Sequence, residues 1–282
     1  MINITFATCN EFPAIQPGDA IVARALEKHG VKTIAAPWNG PQEPFESVDA
    51  VVIRSAWDYP AAPTAFEAWL KKIESGPLAI NSLALMRWNL SKRYLLSLAE
   101  KGAPLPPSRL VEPTAASIAA AMDELGLTQA VVKPEYGSTS SGLSVVARED
   151  DDGIGRAAQN LAMPGIVQPL ISEITTKGET SFIFFDGDFS HAVTKRPKSG
   201  EIRCQYEFGG STKAIEPPQW AIKEASRIIT MLPEHPIYAR IDAILLDDTM
   251  QLMEVELIEP ELFFNYCPEA ADQFAAVIMK RI

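Results

Sequence analysis

The sequence predicts a mixed α/β and α+β fold, with an N-terminal parallel α/β lobe followed by two α+β lobes. Three observations indicate this fold: strands alternate with helices early in the chain, a glycine- and serine-rich loop follows a strand in the middle, and strands dominate beyond Pro164. Of the 282 residues 47% are hydrophobic, which is enough for several packed lobes. The predicted lobes span residues 1–87, 88–166 and 167–282.

The composition excludes several classes of function. A net charge of −11 at pH 7 argues against general nucleic-acid binding, although local Lys and Arg side chains can still hold an anion. The apolar runs are too short to span a membrane, and the N-terminal MINITFATCN lacks the charged region of a signal peptide. Three widely spaced cysteines favour reduced thiols over a disulfide framework or a zinc site. We therefore expect a cytoplasmic protein that binds neither membrane nor nucleic acid.

The first lobe is predicted from strands at INITFAT, VKTIAA, VDAVVIRS and LAIN, with helices between them. One helix, DAIVARALEKHG, ends at Gly30, a residue suited to a helix C-terminus. A second helix is expected from about Thr64 to Ser75. This alternation predicts a parallel sheet with helices on its faces.

The second lobe is predicted to begin with a helix from Ser91 to Glu100, followed by a strand near SRLV and a helix from Ala115 to Leu125. Strands AVVKP and LSVVA then flank the glycine–serine loop, and DDGIGR opens another helix. Beyond them we expect strands GIVQPL, ETSFIFFD, FSHAVTK and EIRCQ, a helix from Pro217 to Leu232, two more strands and a C-terminal helix. This order separates a small lobe that carries the loop from a larger α+β lobe.

The segments IYARIDAILL and MQLMEVELIE are predicted to form an antiparallel hairpin around a turn at residues 247–249. With that turn Leu246 pairs with Met250, and the period of two along each strand decides which side chains share a face. The residues expected to point into a core are Ile241, Ala243, Met253 and Val255. The residues expected on the other face form two facing pairs, Arg240 with Glu256 and Asp242 with Glu254.

Carboxylates that face one another across two strands repel, so Asp242, Glu254 and Glu256 are a poor structural choice unless a divalent cation joins them. Oxygen ligands of this kind match magnesium, with water and phosphate oxygens in the remaining positions. The alternative is a solvated hairpin face with one Arg–Glu pair, and the hairpin alone does not separate the two.

Other segments carry residues suited to a nucleotide, each with exposure or a plain turn as the alternative. KPEYGSTSSG, from Lys133 to Gly142, has small residues that let main-chain N–H groups approach an anion. Lys92 begins a helix, where the helix dipole disfavours a positive charge. Glu179, at the start of a strand, can accept hydrogen bonds from two ribose hydroxyls. Arg196 and Arg203 flank a Gly/Ser turn and suit bidentate binding of phosphate or carboxylate.

In order and spacing the segments from Trp88 to Glu259 resemble the ATP-grasp family, which includes glutathione synthetase and D-alanine–D-alanine ligase. The resemblance implies ATP held between two α+β lobes together with magnesium, for which two ions are expected. The residues that it implies for ATP are Lys92, Lys133, Gly137, Ser138, Gly142, Gln168, Pro169, Ile171 and Glu179. Those that it implies for magnesium are Asp242, Glu254 and Glu256, and those for catalysis are Arg240 and Arg203.

Within this resemblance, the two lysines hold the α- and β-phosphates and residues 137–142 close over the triphosphate. Residues 168–171 form the hinge at the adenine, and Glu179 binds the ribose. The chain departs from the family pattern at Glu256, where an Asn is usual, and adds a further carboxylate at Glu259. This extra negative charge either tightens metal binding or binds a substrate ammonium group.

The segments VVIRSAWDYP, RWNLSKRYL, FSHAVTKRP and MEVELIEP extend the resemblance to the short ATP-grasp proteins that include the cyclo-ligase of D-cycloserine biosynthesis. That enzyme closes O-ureido-D-serine into a ring. The resemblance implies a ligase that activates a small amino-acid-like carboxylate as an acyl phosphate and joins it to a nitrogen nucleophile, within one molecule or between two. A phosphotransferase with the same nucleotide grip and a non-catalytic nucleotide-binding module remain as alternatives.

The end of the strand VDAVVIRS is the expected substrate position, because open α/β sheets bind ligands at the carboxyl ends of their strands. Arg54, Ser55, Trp57 and Asp58 are expected to grip a small amino acid there. The alternative is that Trp57 and Tyr59 only pack the interface between lobes. The sequence leaves the oligomeric state open, with a homodimer as one option.

Overall fold

The computed structural model describes residues 1–137, 142–204 and 208–282, and within them the strands form three sheets. The first sheet is parallel, and its strands are β1 (Ile2–Thr8), β2 (Val31–Pro37), β3 (Ala50–Ile53) and β4 (Leu78–Ile80), in the order β2-β1-β3-β4. Its helices are α1 (Pro17–Glu27), α2 (Glu43–Glu46) and α3 (Pro63–Ile73), with a 3-10 turn at Tyr59–Ala61. The predicted parallel α/β lobe is confirmed.

The second sheet is antiparallel and follows α4 (Leu83–Leu90) and α5 (Arg93–Glu100). Its strands are β5 (Arg109–Val111), β6 (Gln129–Pro134), β7 (Ser144–Ala147) and β8 (Gly165–Pro169), in the order β5-β8-β6-β7. Its helices are α6 (Ala115–Leu125) and α7 (Asp151–Asn160). Helix α6 begins where the Thr114 hydroxyl accepts the Ser117 N–H and ends at Gly126 with φ 64°, the usual signals for a helix start and stop.

The third sheet is also antiparallel and carries the predicted hairpin. Its strands are β9 (Glu179–Phe185), β10 (Asp188–Arg196), β11 (Ser211–Ile215), β12 (Tyr238–Leu245) and β13 (Met250–Glu256), in the order β11-β10-β9-β12-β13. Its helices are α8 (Ile174–Lys177), α9 (Gln219–Ile229) and α10 (Ala270–Met279). Among the described residues, no helix is long and apolar enough to cross a membrane.

The two faces of the third sheet have different neighbours. One face, with Phe182 and Ile241, is apolar and packs against α5 and α9. The other face is apolar only at one end, where Phe185 and Tyr238 join the core of the first lobe. Its remaining part is polar and lines the cavity described below. The sheet therefore positions the polar side chains while its two cores fix it to the rest of the molecule.

The structure differs from the sequence predictions at α4 and at the segment EIRCQ. Helix α4, which the sequence did not predict, begins where the Ser82 hydroxyl accepts the Leu85 N–H. The predicted strand EIRCQ is wrong over Glu201–Cys204, which is irregular, whereas its Gln205 lies outside the described residues. The physical reason is local, because the Glu201 carboxylate accepts the N–H groups of Ile202 and Arg203 in place of a strand partner. The strand that pairs with β10 on this side is β11.

The predicted lobe boundaries at residues 87/88 and 166/167 stay a prediction. Strand β8 belongs to the second sheet and extends across the second boundary to Pro169. Helix α5 precedes the second sheet in the chain, but its Tyr94, Leu95 and Leu98 pack into the core of the third sheet. The segment between the first two sheets is therefore shared between lobes.

Candidate active site

A cavity of about 620 Å³ lies between the second and third sheets, and Trp57 of the first lobe contributes to its wall. Cavities that bind small ligands typically measure about 300–1,000 Å³. The predicted site residues that line it are Lys92, Lys133, Gly137, Gln168, Pro169, Ile171, Glu179, Arg203, Arg240, Asp242, Glu254, Glu256 and Trp57. The structure thus brings residues from distant parts of the chain to one cavity.

The two facing pairs predicted on the hairpin are present, with Asp242 opposite Glu254 and Arg240 opposite Glu256. One carboxylate oxygen from each of the three acidic residues lies within 4.8 Å of the other two. Three hard oxygen donors at this spacing, fixed on paired strands, fit a divalent cation such as magnesium. The predicted convergence is confirmed, and the assignment of these residues as metal ligands stays a proposal.

The turn of the hairpin and the pairing next to it differ from the prediction. Leu245, rather than Leu246, pairs with Met250, which shifts the count by one residue. A β-bulge at Met253 shifts it back, so the pairing beyond the bulge agrees with the prediction. Met253 consequently lines the cavity instead of entering the core, and Leu252 takes the core position.

Cationic side chains contact each member of the acidic cluster formed by Asp242, Glu254 and Glu256. Arg240 donates from Nε and Nη2 to Asp242 at 3.1 and 2.9 Å, and from Nη2 to Glu256. Lys92 donates from Nζ to Glu254. A ligand placed against the cluster therefore meets acidic oxygens and donors at the same time.

Two carboxyl groups of the cluster differ in proton affinity. Burial alone would raise the pKa of Asp242, but the neighbouring charges of Arg240 and Lys195 hold the pKa at about 2. Burial raises the pKa of Glu256 to about 7 against the opposing effect of Arg240, and the charge of Glu254 adds to the rise. A divalent cation bound to the cluster would favour the charged form of both groups.

Lys195 on β10 is a cavity residue that the sequence analysis missed. Its Nζ lies 2.6 Å from Oε2 of Glu179 and 3.3 Å from Oδ2 of Asp242. Burial would lower the pKa of Lys195, but these two carboxylates raise it above its ordinary value, so the side chain is charged. The adjacent Arg196, which the sequence suggested as an anion-binding residue, is exposed. Lys195 could have been found from the period of two along the strand, which places it on the same face as Val193.

Lys92 and Lys133 both line the cavity. Burial would lower the pKa of Lys92, but Glu254 raises it above the ordinary value. Burial lowers the pKa of Lys133, Glu254 opposes this, and the charge of Lys92 lowers it further. The two segments are tied together by Glu135, whose main-chain carbonyl accepts the Lys92 N–H at 2.9 Å and whose carboxylate accepts from Arg93 at 2.7 Å. Two adjacent ammonium groups held in this way suit phosphate oxygens.

Residues 168–171 line the cavity at the end of β8, as predicted for a hinge at the nucleotide base. Gln168 is buried, and its Nε2 donates to Ser108 Oγ at 2.8 Å. Its Oε1 has no hydrogen-bond partner within the ranges that the structure describes. The apolar side chains that line the same cavity are Val131, Leu143, Leu170, Ile171, Ile174, Ile202 and Ile244. Apolar walls with a few polar groups suit a planar base.

Arg203 lines the cavity on the loop between β10 and β11. Its guanidinium carbon lies 3.7 Å from the centroid of the Phe208 ring, and its Nη2 donates to Glu201 Oε2 at 2.5 Å. The predicted catalytic contact of this arginine stays a prediction.

The glycines of the predicted phosphate loop occupy different positions. Gly137 lines the cavity, whereas Gly142 is not part of its wall. Gly142 has φ +73°, and a Cβ there would lie 3.2 Å from Pro134 Cγ, so this position favours glycine. Ser138 lies in the segment 138–141, outside the described residues, and its contact with phosphate stays a prediction.

Of the four residues expected to grip the substrate, all within the described ranges, the structure brings only Trp57 to the cavity. Arg54 is 2% exposed, and its Nε lies 2.7 Å from Asp19 Oδ1 in a buried ion pair. Ser55 is fully buried. Asp58 accepts a hydrogen bond from Trp38 at 2.6 Å. The end of β3 is therefore covered by protein, so Arg54, Ser55 and Asp58 do not reach the cavity.

Comparisons with known proteins agree with this architecture. The family model of the D-cycloserine synthetase DcsG N-terminal domain matches residues 4–81. The chain is 27% identical over 268 residues to the cycloserine biosynthesis protein DcsG of Streptomyces lavendulae, with 90% of each chain covered. The crystal structure of D-cycloserine synthetase DcsG is similar with a TM-score of 0.85 and 25% identity, over 99% of both chains. D-alanine–D-alanine ligase from Bacillus anthracis shares the fold, with a TM-score of 0.71 and 14% identity over 99% of this chain and 96% of that chain.

Proposed function

We propose that this chain, which is similar to DcsG and has the fold of ATP-grasp ligases, is an ATP-dependent ligase. It activates the carboxylate of a small amino-acid-like substrate as an acyl phosphate and joins it to a nitrogen nucleophile. The observation that carries the proposal is the cavity wall on which three carboxylates meet Lys92 and Arg240. The name of the related synthetase supports an intramolecular, ring-closing ligation as its finer form.

The nucleotide is proposed to extend along the third sheet from the hinge to the acidic cluster. Its base would lie against residues 168–171, and its ribose hydroxyls would donate to Glu179. Lys92 and Lys133 would hold the phosphates, with main-chain N–H groups of the loop from Gly137 to Gly142 beside them. Lys195 forms an ion pair with the Glu179 carboxylate, and this contact would hold the proposed ribose ligand in place beside the acidic cluster.

Asp242, Glu254 and Glu256 are proposed to hold magnesium, with two ions expected. Bound there, magnesium supplies positive charge that stabilises the phosphate oxygens during transfer. The donor set fits this ion, because all three groups are carboxylates and the bulge fixes their register on two paired strands. The ion pair between Lys92 and Glu254 is then expected to open, which frees the lysine for phosphate.

The proposed reaction has two steps. An oxygen of the substrate carboxylate forms a bond to the γ-phosphorus while the bond from that phosphorus to ADP breaks, which gives ADP and an acyl phosphate. An unprotonated nitrogen then forms a bond to the acyl carbon while the carbon–oxygen bond to the phosphate breaks, and the proton that the nitrogen loses is taken up by the departing inorganic phosphate. Arg240 is proposed to stabilise the oxyanion of this second step, and its contacts with Asp242 and Glu256, which fix the guanidinium, support this role. Arg203 is proposed to neutralise charge from the opposite loop.

The proposal is tested by measuring ADP release in the presence of Mg²⁺ over a panel of amino acids and amino-acid analogues. We expect ADP release stimulated by the substrate, with equal amounts of inorganic phosphate and of an amide-containing product detected by mass spectrometry. Glu254→Gln should abolish this turnover, whereas Glu149→Gln, the same change at an exposed position, should retain it. A stable phosphorylated product would support a phosphotransferase, and ATP binding without turnover would support a binding module.

Some predictions from the sequence concern the whole chain and remain proposals. They are the lobes at 1–87, 88–166 and 167–282, a cytoplasmic location and a homodimer.

A further inference from the structure

Glu259 is a buried carboxylate that the proposed nucleotide site does not use. It follows β13, lines the cavity and is 7% exposed. Its carboxyl group accepts a hydrogen bond from its own main-chain N–H, while burial and the charge of Glu256 raise its pKa well above the ordinary value. No cationic group of the described residues forms an ion pair with it, whereas most buried carboxylates in proteins are paired with a cation, because the desolvation of an unpaired charge is costly. A cationic partner supplied by a ligand would stabilise the charged form of Glu259.

Glu259 is not part of the acidic cluster. Asp242, Glu254 and Glu256 each place an oxygen within 4.8 Å of the other two, and Glu259 does not join this group within the described part of the chain. From the sequence alone, the extra carboxylate is either a metal ligand or the partner of a substrate ammonium group. The geometry of the cluster favours the second role.

The main chain that carries Glu259 is held in place by an unusual series of hydrogen bonds. Along residues 258–262, here called the recognition segment, each consecutive carbonyl accepts from a different side chain. The bonds are Tyr238 Oη to Ile258 (2.6 Å), Trp57 Nε1 to Glu259 (3.2 Å), Arg54 Nη2 to Pro260 (3.0 Å), Arg240 Nη1 to Glu261 (3.1 Å) and His191 Nε2 to Leu262 (2.9 Å). A recognition group on such a fixed backbone is preorganised for its ligand.

This arrangement changes the role of two residues that the sequence selected for the substrate. Arg54 is buried and binds the Pro260 carbonyl, and Trp57 binds the Glu259 carbonyl. Both therefore act on the recognition segment from the first lobe and are positioning residues. The residues of the segment that line the cavity are Glu259 and Glu261.

The surroundings of Glu259 suit an organic cation better than a metal ion. Trp57, Phe263 and Tyr266 line the same cavity, and the faces of aromatic rings attract ammonium groups. Magnesium requires a near-octahedral set of oxygen ligands, which aromatic rings do not supply. Asn265 and Glu261, also in the wall, add polar groups for the remainder of a small zwitterion.

We propose that Glu259 binds the free ammonium group of the substrate, which is therefore an amino acid and not the corresponding hydroxy acid or N-acylated acid. This inference rests on the proposed function, because it concerns the molecule whose carboxylate is activated. It places the substrate with its carboxylate towards Arg240 and its ammonium group towards the recognition segment.

The first test compares matched compounds with the wild-type protein. ADP release with Mg²⁺ and ATP is measured for D- and L-serine, alanine, O-substituted serines and β-alanine, and for the hydroxy-acid and N-acetyl counterpart of each. We expect stimulation only by compounds with a free amine. Equal stimulation by the hydroxy-acid or N-acetyl counterparts would overturn the assignment of Glu259 and leave the ligase proposal intact.

The second test uses Glu259→Gln and Glu259→Asp with the best free amine from that panel. Loss of a charge-assisted hydrogen bond predicts a KM for this compound that is about 10- to 100-fold higher in Glu259→Gln, with kcat little changed. Glu259→Asp, which keeps the charge but withdraws it by one methylene, should lie between Glu259→Gln and the wild type. Glu149→Gln serves as the exposed control, and thermal melting checks that each variant is folded.

Three results of this second test would contradict the inference. A raised half-saturation concentration for Mg²⁺ in Glu259→Gln would make Glu259 a metal ligand, and a lowered kcat at unchanged KM would make it an acid–base group. An unchanged KM and kcat would show that the carboxylate does not bind the substrate. If no compound of either kind stimulates ADP release, the ligase proposal fails and this inference fails with it.

Discussion

Lys195 connects two carboxylates that the proposed function assigns to different parts of the nucleotide site. It contacts Glu179, proposed for the ribose, and Asp242, proposed for magnesium. All three side chains are largely buried, so removing the lysine takes away the cation that Glu179 contacts and leaves Asp242 with Arg240. Breaking a buried ion pair typically costs about 3–5 kcal/mol, whereas exposed pairs contribute at most about 1 kcal/mol. Lys177 and Asp247, whose side chains are 38% and 97% exposed, form such an exposed pair.

We expect Lys195→Met to lower the free energy of unfolding by about 3 kcal/mol and to raise the KM for MgATP at least about tenfold. The matched variant Lys177→Met removes a lysine from the exposed pair and should change the free energy of unfolding by less than about 1 kcal/mol. Urea unfolding and steady-state kinetics give both values. If both substitutions changed the free energy of unfolding and the KM for MgATP only slightly, the ion pairs of Lys195 would not stabilise the site.

The position of a single residue was predictable where the period of two along its strand could be combined with a known partner on the facing strand. Arg240 and Asp242 were placed correctly because their partners lie on the next strand of the same hairpin. Lys195 was missed because its partner Glu179 is found only once the register of β9 and β10 is known. Arg54 was placed at the end of a strand, but the sequence does not show that the recognition segment covers it.

At the scale of elements, buried asparagines attach the first lobe and α4 to the hairpin. Asn81, just after β4, donates from Nδ2 to the carbonyls of Tyr238 and Leu257 and accepts the Ile237 N–H. Asn89 of α4 donates to the Val255 carbonyl and accepts the Leu257 N–H. At the outer edge of β13, Asn89 thus takes the place of a strand partner at the Val255 carbonyl, which protects this part of the edge from pairing.

Asn81 permits a test of this attachment, because its side chain is fully buried and its φ is +48°. Asn81→Gly keeps that backbone conformation accessible but removes the hydrogen bonds, so we expect a loss of about 2–4 kcal/mol in the free energy of unfolding. Asn81→Ala should cost more because it adds backbone strain. The exposed Asn160→Ala should change stability by less than about 1 kcal/mol. Wild-type stability of Asn81→Gly in urea unfolding would refute the attachment.

The elements that were predicted well are those with local signals. Helix α6 has a Thr cap at one end and a glycine at the other, and its predicted bounds agree with the structure. The bulge at Met253 has no local signal, because it compensates a turn that is one residue longer than expected. The strand predicted at EIRCQ failed because the Glu201 side chain replaces the ladder by local hydrogen bonds.

At the scale of the whole molecule, the hydrophobic cores do not follow the order of the sheets in the chain. Helix α10 packs on α1, and its Phe274 stacks on Phe185 of the third sheet at 4.9 Å between ring centroids. The first and third sheets therefore share one core. The core of the second sheet is composed of residues from its own elements, including Ile118. Shared cores unfold together, whereas a separate core can open by itself.

Hydrogen exchange should reveal these two units. Phe274→Ala, which empties part of the shared core at a cost of about 3–5 kcal/mol, should accelerate exchange in β1, β3, β9 and β12 together. Ile118→Ala should cost about 2–5 kcal/mol and accelerate exchange mainly within residues 109–169. Mass spectrometry of peptic fragments distinguishes the two patterns. Acceleration over the whole chain by both substitutions would indicate a single cooperative unit.

The overall fold class was predictable because it depends on the order of elements, and the strand–helix alternation near the N-terminus is a local signal. The shared core was not predictable, since it joins α1 with α10 at opposite ends of the chain. Contacts between segments that are far apart in the chain produce no periodic pattern in a single sequence.

The central claim is that a substrate carboxylate is activated by transfer of the γ-phosphoryl group. The most direct measurement uses the substrate labelled with ¹⁸O in its carboxylate, followed by mass spectrometry of the phosphate released during turnover. Because the carboxylate oxygen that attacks phosphorus leaves with the phosphate, we predict one ¹⁸O atom in each phosphate formed. Unlabelled phosphate, with both ¹⁸O atoms kept in the recovered substrate or product, would contradict the account.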